Sequence, residues 1–195
     1  MKILYLHGLG SSGESSTVQN LRTSLNHVFL DGELVAPTYS PQDAGAWRRF
    51  YATADEYDVI VGTSMGGYHA LRLAEAGVAA PVLVVNAAFD PASMLSKYLN
   101  QPLPDYTGSS VPTVMSKEMV NQFKKPNLIK HNHVPIVWVI GSRDDVIDPQ
   151  EQLAFAQSIG CEVVETNWGH RVEDSKFLVK QIRKLANNLT THPTE

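Results

Sequence analysis

The chain of 195 residues has a single cysteine, Cys161. That excludes an intramolecular disulfide and a metal site built on several thiolates, and a lone thiol suits a reducing compartment. No long run of one charge sign occurs, and the net charge is −4. A partner held by its phosphate backbone normally leaves a clustered basic footprint, so no nucleic-acid partner is expected. No apolar run approaches the roughly 20 residues that span a bilayer, so no membrane span is expected either. Met1–Leu6 carries one lysine followed by only four apolar residues, too few for the apolar region of a signal peptide. It reads better as a buried strand. Asn188-Leu189-Thr190 matches a glycosylation sequon, taken as accidental without a secretion signal. Internal repeats and low-complexity stretches are lacking too. The expected location is the cytoplasm.

What is present points to one α/β domain over residues 1–195. Hydrophobic residues make up 43% and charged residues 18%, an ordinary globular balance, and the length suffices to bury a core. Short apolar runs alternate with longer amphipathic stretches, the pattern of a mostly parallel sheet of about six strands with helices on both faces. The predicted strands are Ile3–Leu6, Leu34–Ala36, Asp58–Val61, Val82–Val85, Ile136–Ile140 and Glu162–Glu165. Predicted helices cover Ser15–Asn26, a segment with Trp47 and Phe50 after Ser40-Pro41, Met65–Ala76, Pro149–Ile159 with Gly160 as its stop, and a final stretch from near Asp174. The pattern breaks over residues 89–134, which are polar and contain Pro102, Pro104, Pro112 and Pro126. Long inserts between core strands are usually functional or disordered. This one reads as a small lid with one or two short helices. The tail after Leu189 is expected to fray.

The strongest chemical signal is Gly62-Thr63-Ser64-Met65-Gly66-Gly67, directly after a strand and before a helix. This is a G-x-S-x-G nucleophile elbow in the context that gives it meaning. A sharp strand-to-helix turn strains the serine backbone and lifts its hydroxyl clear of the sheet, and the glycines allow the close packing this needs. A serine hydroxyl is a weak nucleophile without an adjacent base. In this arrangement an acid and then a histidine follow the serine, at the ends of later strands. Gly141-Ser142-Arg143-Asp144-Asp145 follows one strand and Asn167-Trp168-Gly169-His170 follows the last. Asp144 is read as the acid with Asp145 as its nearest rival, His170 as the general base, and Asp148 as the cap of the helix at Pro149. The loop His7-Gly8-Leu9-Gly10 after the first strand reads as an oxyanion loop, with backbone donors at Leu9 and Met65.

Two rival readings use other residues. Gly8, Gly10 and Gly13 also fit a dinucleotide-binding fingerprint, with Asp31 near the place of a ribose-binding acid. That reading explains neither Ser64, nor Asp144, nor His170. His131-Asn132-His133 resembles half a metal site, without a third ligand in view, so neither a metal nor another cofactor is expected. His69 reads as a packed helix residue.

The chain resembles the YqiA/YcfP-like esterases, a family of small α/β-hydrolases, over most of its length. The resemblance rests on Tyr5-Leu6-His7-Gly8 with Ser11-Ser12, on the elbow with Gly67-Tyr68, and on Val85-Asn86-Ala87-Ala88. It continues through Tyr106-Thr107-Gly108, Asp144-Asp145-Val146-Ile147-Asp148 and Gly169-His170. It implies the α/β-hydrolase fold and cofactor-free hydrolysis of small-molecule carboxylic esters or thioesters with modest acyl chains. It also implies acid and base at Asp144 and His170. Val85-Asn86-Ala87-Ala88 has alanine where that family often has proline, and Arg171-Val172 replaces a serine and an aromatic residue, departures that bear on substrate preference. Trp168, Tyr106 and Met115 are candidates to line an acyl pocket, with ordinary packing as the other reading. A noncatalytic binding protein on the same scaffold is the alternative from another class, though it would have little reason to keep every element of the machinery.

Overall fold

Six of the short apolar runs become strands in a computed structural model that describes residues 1–29, 31–103, 113–128 and 134–190, the side chains of 188–190 excepted. They are β1 (Lys2–Leu6), β2 (Glu33–Val35), β3 (Val59–Thr63), β4 (Val82–Val85), β5 (Ile136–Gly141) and β6 (Glu162–Thr166). All pair in parallel, in the order β2-β1-β3-β4-β5-β6. The helices are α1 (Ser16–Val28), α2 (Arg48–Tyr51), α3 (Met65–Glu75), α4 (Pro91–Ser96), α5 (Lys117–Asn121), α6 (Pro149–Ser158) and α7 (Ser175–Thr190).

Because strand side chains alternate between faces, the buried strands feed two separate cores. Ile3, Tyr5, Val59, Val61, Leu83, Val85, Val137 and Val139 meet Val18, Leu21 and Leu25 of α1 and Leu178, Ile182 and Leu185 of α7. Their neighbours Leu4, Leu6, Ile60, Val82, Val84, Trp138 and Ile140 face α3 and α6 on the other side. Local chemistry sets the helix ends. The Ser15 side chain accepts from Val18 N–H at the start of α1, and Asp174 Oδ1 accepts from the N–H groups of Lys176 and Phe177 at the start of α7. Asp148 caps α6 as its sequence context predicts, accepting from Gln150 and Glu151.

One segment differs from the sequence expectation. The helix predicted around Trp47 and Phe50 shrinks to the four residues of α2. Asp43 Oδ1 accepts from Gly45 N–H, and Ala46 and Arg48 bond back three residues, so turn chemistry holds the stretch before it. The insert contributes α4 and α5, joined by bridges Leu99–Met115 and Pro102–Val114. Leu95, Leu103, Met115, Val120, Phe123 and Leu128 are all buried against the α3 side of the sheet. These described parts of the insert therefore extend the core. Tyr106, Thr107 and Gly108 lie outside the described residues, as do His131 and His133.

The chain leaves β1 for the edge strand β2 and returns on the other side of β1 as β3. Loops after β1 and β3 thus leave in opposite directions and open a crevice at the carboxyl end of the sheet, where open α/β sheets bind ligands. Among the described residues, no helix is long and apolar enough to cross a membrane.

Candidate active site

Ser64 sits at that crevice, between β3 and α3, with φ 53° and ψ −120°. A positive φ is unfavourable for a residue with a Cβ and persists only where the surroundings over-determine it. They do so here. Ser64 N–H donates to Val85 O at 3.0 Å, and Ser64 O accepts from Ala88 N–H at 3.0 Å. A Cβ on Gly66 would stand 1.9 Å from Leu6 O, and one on Gly62 would stand 2.4 Å from Gly66 O. The start of α3 therefore rests directly on backbone at the ends of β1 and β3, which only glycine permits.

His170 arrives from the loop after β6 and Asp144 from the loop after β5. His170 Nε2 is 3.0 Å from Ser64 Oγ, while its Nδ1 is 2.9 Å and 3.0 Å from the two Asp144 carboxylate oxygens. A ring nitrogen facing a carboxylate carries the proton, which leaves the Nε2 lone pair for the serine hydroxyl. The Asp144 side chain is wholly buried and that of His170 is 19% exposed. Asp144 Oδ1 also accepts from the N–H groups of Val146 and Ile147, at 2.9 Å and 3.0 Å, and Oδ2 accepts from Gln152 Nε2 at 3.1 Å. Burial alone would raise its pKa. The bonds from His170 and the two amides outweigh that and hold the carboxyl below the ordinary aspartate value. Asp145 lines the crevice without reaching this chain of contacts.

The crevice is a cavity of about 900 Å³ that includes Gly8, Leu9, Ser64, Asp145 and His170 in its walls. A Cβ on Gly8 would stand 3.0 Å from Ser64 Cβ, so the His7-Gly8-Leu9 loop passes directly against the serine. In the dinucleotide reading the first glycine serves a tight turn; here Gly8 also gives Ser64 the room it needs.

With this geometry in place, the comparisons decide the family. Residues 2–187 match the uncharacterised protein family UPF0227. The chain belongs to it. Solved structures similar to this UPF0227 member are α/β-hydrolases. Est1E from Butyrivibrio proteoclasticus, with ferulic acid bound, is 12% identical with a TM-score of 0.71 over 98% of this chain and 90% of that one. The mouse alpha/beta hydrolase domain-containing protein 10 is 16% identical with a TM-score of 0.65 over 96% and 90%. The esterase domain of a Rhodothermus marinus protein is 17% identical with a TM-score of 0.64 over 95% and 87%. The fold is the α/β-hydrolase fold.

Two of the sequence-predicted pocket residues of the UPF0227 chain stand elsewhere. Met115 is fully buried in the core beside α3, and Trp168 is 5% exposed, packed edge-on against Phe177 at 5.4 Å on the opposite side of the sheet. Their large apolar side chains gain more from the core than from the rim of a solvated crevice. Tyr106, the third, lies outside the described residues.

Sequence reasoning assigned no role to the side chains of three buried polar residues that frame the site. Asn86, at the end of β4 with φ 47°, is fully buried. Its Oδ1 accepts from Gly141 N–H at 2.8 Å, and its Nδ2 donates to Gly169 O at 2.9 Å and His170 O at 3.0 Å. One amide thus ties the foot of the Asp144 loop to the loop carrying His170. Gln152 of α6 braces Asp144 from behind, accepting from Trp138 Nε1 at 3.1 Å and donating to Ile147 O at 3.0 Å. His7 Nε2 accepts from Tyr39 N–H at 3.3 Å, so Nδ1 carries the proton and donates to Gly8 O at 2.9 Å. Burial holds the His7 pKa below its ordinary value, although the Gly8 carbonyl favours the protonated form. Because the peptide is planar, fixing Gly8 O also fixes the direction of Leu9 N–H. A polar residue closing a fully apolar strand, as in Val85-Asn86, was the available signal for Asn86. Gln152 and Tyr39 left none. Among the described residues, no three His, Cys, Asp or Glu side chains stand together to hold a metal.

Proposed function

We propose that the chain is a serine hydrolase that transfers acyl groups from carboxylic esters or thioesters to water through an acyl-enzyme. The observation that carries this is the continuous run from Ser64 Oγ through His170 to the buried Asp144, drawn from three separate loops. In the proposed cycle Ser64 Oγ bonds to the carbonyl carbon as His170 Nε2 takes its proton. The oxyanion is held by Leu9 and Met65 N–H groups, where losing one such donor costs about 3 kcal/mol of transition-state stabilisation. Collapse breaks the bond to the alkoxy or thiolate leaving group, which departs with the proton from His170. Water activated by His170 then takes the acyl group and regenerates Ser64. Asp144 stays ionised and keeps the imidazole in its working tautomer.

The cycle needs no cofactor, and we assign it to the cytoplasm on the strength of the single cysteine. The esterase neighbours and the ferulic acid held by Est1E are in keeping with an ester substrate. Intact-mass detection of labelling by a fluorophosphonate tests the reading. A single adduct on wild type that disappears in Ser64→Ala is expected. An unlabelled, folded wild type would reverse the conclusion in favour of a binding protein on a hydrolase scaffold.

A further inference from the structure

Among the described residues, the walls of the cavity at Ser64 are rich in hydroxyl groups. Their lining includes the hydroxyl-bearing segment Ser11, Ser12, Ser15, Ser16 and Thr17, together with Tyr5 and Thr63, whose hydroxyls pair at 3.0 Å. Asp145, Arg171 and Glu173 line it as well, and the aliphatic contribution among the described residues is Leu9, Val146 and Val172. Five large apolar residues of the neighbouring insert, all among the described residues, do not line the cavity. Leu103, Met115, Val120, Phe123 and Leu128 are all buried in the core.

The hydroxyl wall is held in place. Gly13 N–H donates to Thr38 Oγ1 at 3.0 Å, and a Cβ on Gly13 would meet Ala36 O at 1.9 Å, so the segment is seated against the chain that follows β2. Ser12 Oγ accepts from Glu14 N–H at 3.3 Å, and the Glu14 carboxylate is paired with Arg22 at 3.1 Å. A ligand therefore meets hydroxyl and carboxylate groups held in place by the surrounding chain, beside the aliphatic side chains of Leu9, Val146 and Val172. Such a surface returns the hydrogen bonds that a polyol gives up on leaving water, and a hydrocarbon chain laid on it would strip water from those groups without replacing it.

We infer that the substrate is an ester of a short acyl group with a polar, polyhydroxylated alcohol, whose hydroxyls bind along Ser11–Thr17. This rests on the serine-hydrolase reading and names the substrate class of that same site. Hydrolysis releases the polyol with the proton from His170 and, after attack by water, a short carboxylic acid.

Two kinetic series test it on wild-type protein first shown to label at Ser64. In p-nitrophenyl esters from acetate to octanoate, an apolar tunnel raises kcat/KM about fourfold per added methylene. The expected result here is a flat or falling series beyond butyrate. In the second series, the monobutyrate of glycerol should exceed n-butyl butyrate in kcat/KM by at least about tenfold, the scale of discrimination from leaving polar site groups unpaired. The S12A/T17V double variant should bring that ratio close to one. A steady rise through octanoate, or equal rates for the two butyrates, in labelled protein overturns the inference and leaves the hydrolase reading standing. Absence of Ser64 labelling overturns both.

Discussion

Replacing Asn86 by glycine removes one side chain while permitting the left-handed backbone found there, φ 47°. The change deletes the bonds to Gly141 N–H, Gly169 O and His170 O, all within 3.0 Å and all made by a fully buried amide. At about 1–3 kcal/mol for each partner left unpaired, the loss of folding stability comes to about 3 kcal/mol or more. The greater flexibility of unfolded glycine adds about 0.5–1 kcal/mol. A domain with an ordinary margin of about 5–15 kcal/mol remains folded after such a loss. Activity should suffer more than stability. Asn86 sets the spacing between the loops of Asp144 and His170, and a displacement of about 1 Å in catalytic geometry can cost about 100-fold. We therefore expect Asn86→Gly to lower kcat on p-nitrophenyl acetate by about two orders of magnitude, with KM changed much less. Urea unfolding measured beside the kinetics separates the two effects. A folded variant with kcat within threefold of wild type would refute the idea that this amide positions the acid and base loops.

Other outcomes follow from the same geometry. Asp144→Asn turns an amine toward His170 Nδ1 and favours the wrong tautomer, so kcat should fall about 10⁴-fold. Asp145→Asn, outside the run of contacts, should stay within about fivefold, and the reverse order would make Asp145 the acid. His69 is buried with Nε2 2.9 Å from Pro41 O, and burial lowers its pKa from 6.5 to about 4. Below pH 6.5 the unfolded chain therefore binds a proton that the folded chain refuses, and this group makes stability fall by about 1.4 kcal/mol per pH unit down to about pH 4. Urea midpoints between pH 7 and 4 should slope less steeply in His69→Gln, and an unchanged slope would remove His69 as the cause. Gly66→Ala would place a Cβ 1.9 Å from Leu6 O and 2.8 Å from His7 O. Backbone must move on both sides, and we expect a loss of about 3 kcal/mol or more in the same urea assay, as for other strained core insertions.

What the sequence determined by itself is local. Strand and helix periods, the glycine-flanked turn at Ser64, and the cap at Asp148 depend on neighbours within about one helical turn or one strand. Those signals can be read without knowing where the rest of the chain goes. They failed where two local chemistries compete, as in the Asp43–Gly45 turns that shortened α2. That Ser64, Asp144 and His170 would meet was also legible, because in this strand-loop-helix pattern each stands just beyond a strand and the sheet gathers those ends on one edge. Tertiary structure alone decided the partners across that edge. Asn86 meets the His170 carbonyl 84 positions away because β4 and β5 are adjacent in the sheet and the loop after β6 folds back over them. Met115 and Trp168 entered the two cores instead of the cavity for a similar reason. Hydrophobicity says only that a side chain will leave water, and the packing of the whole chain settles which interior receives it.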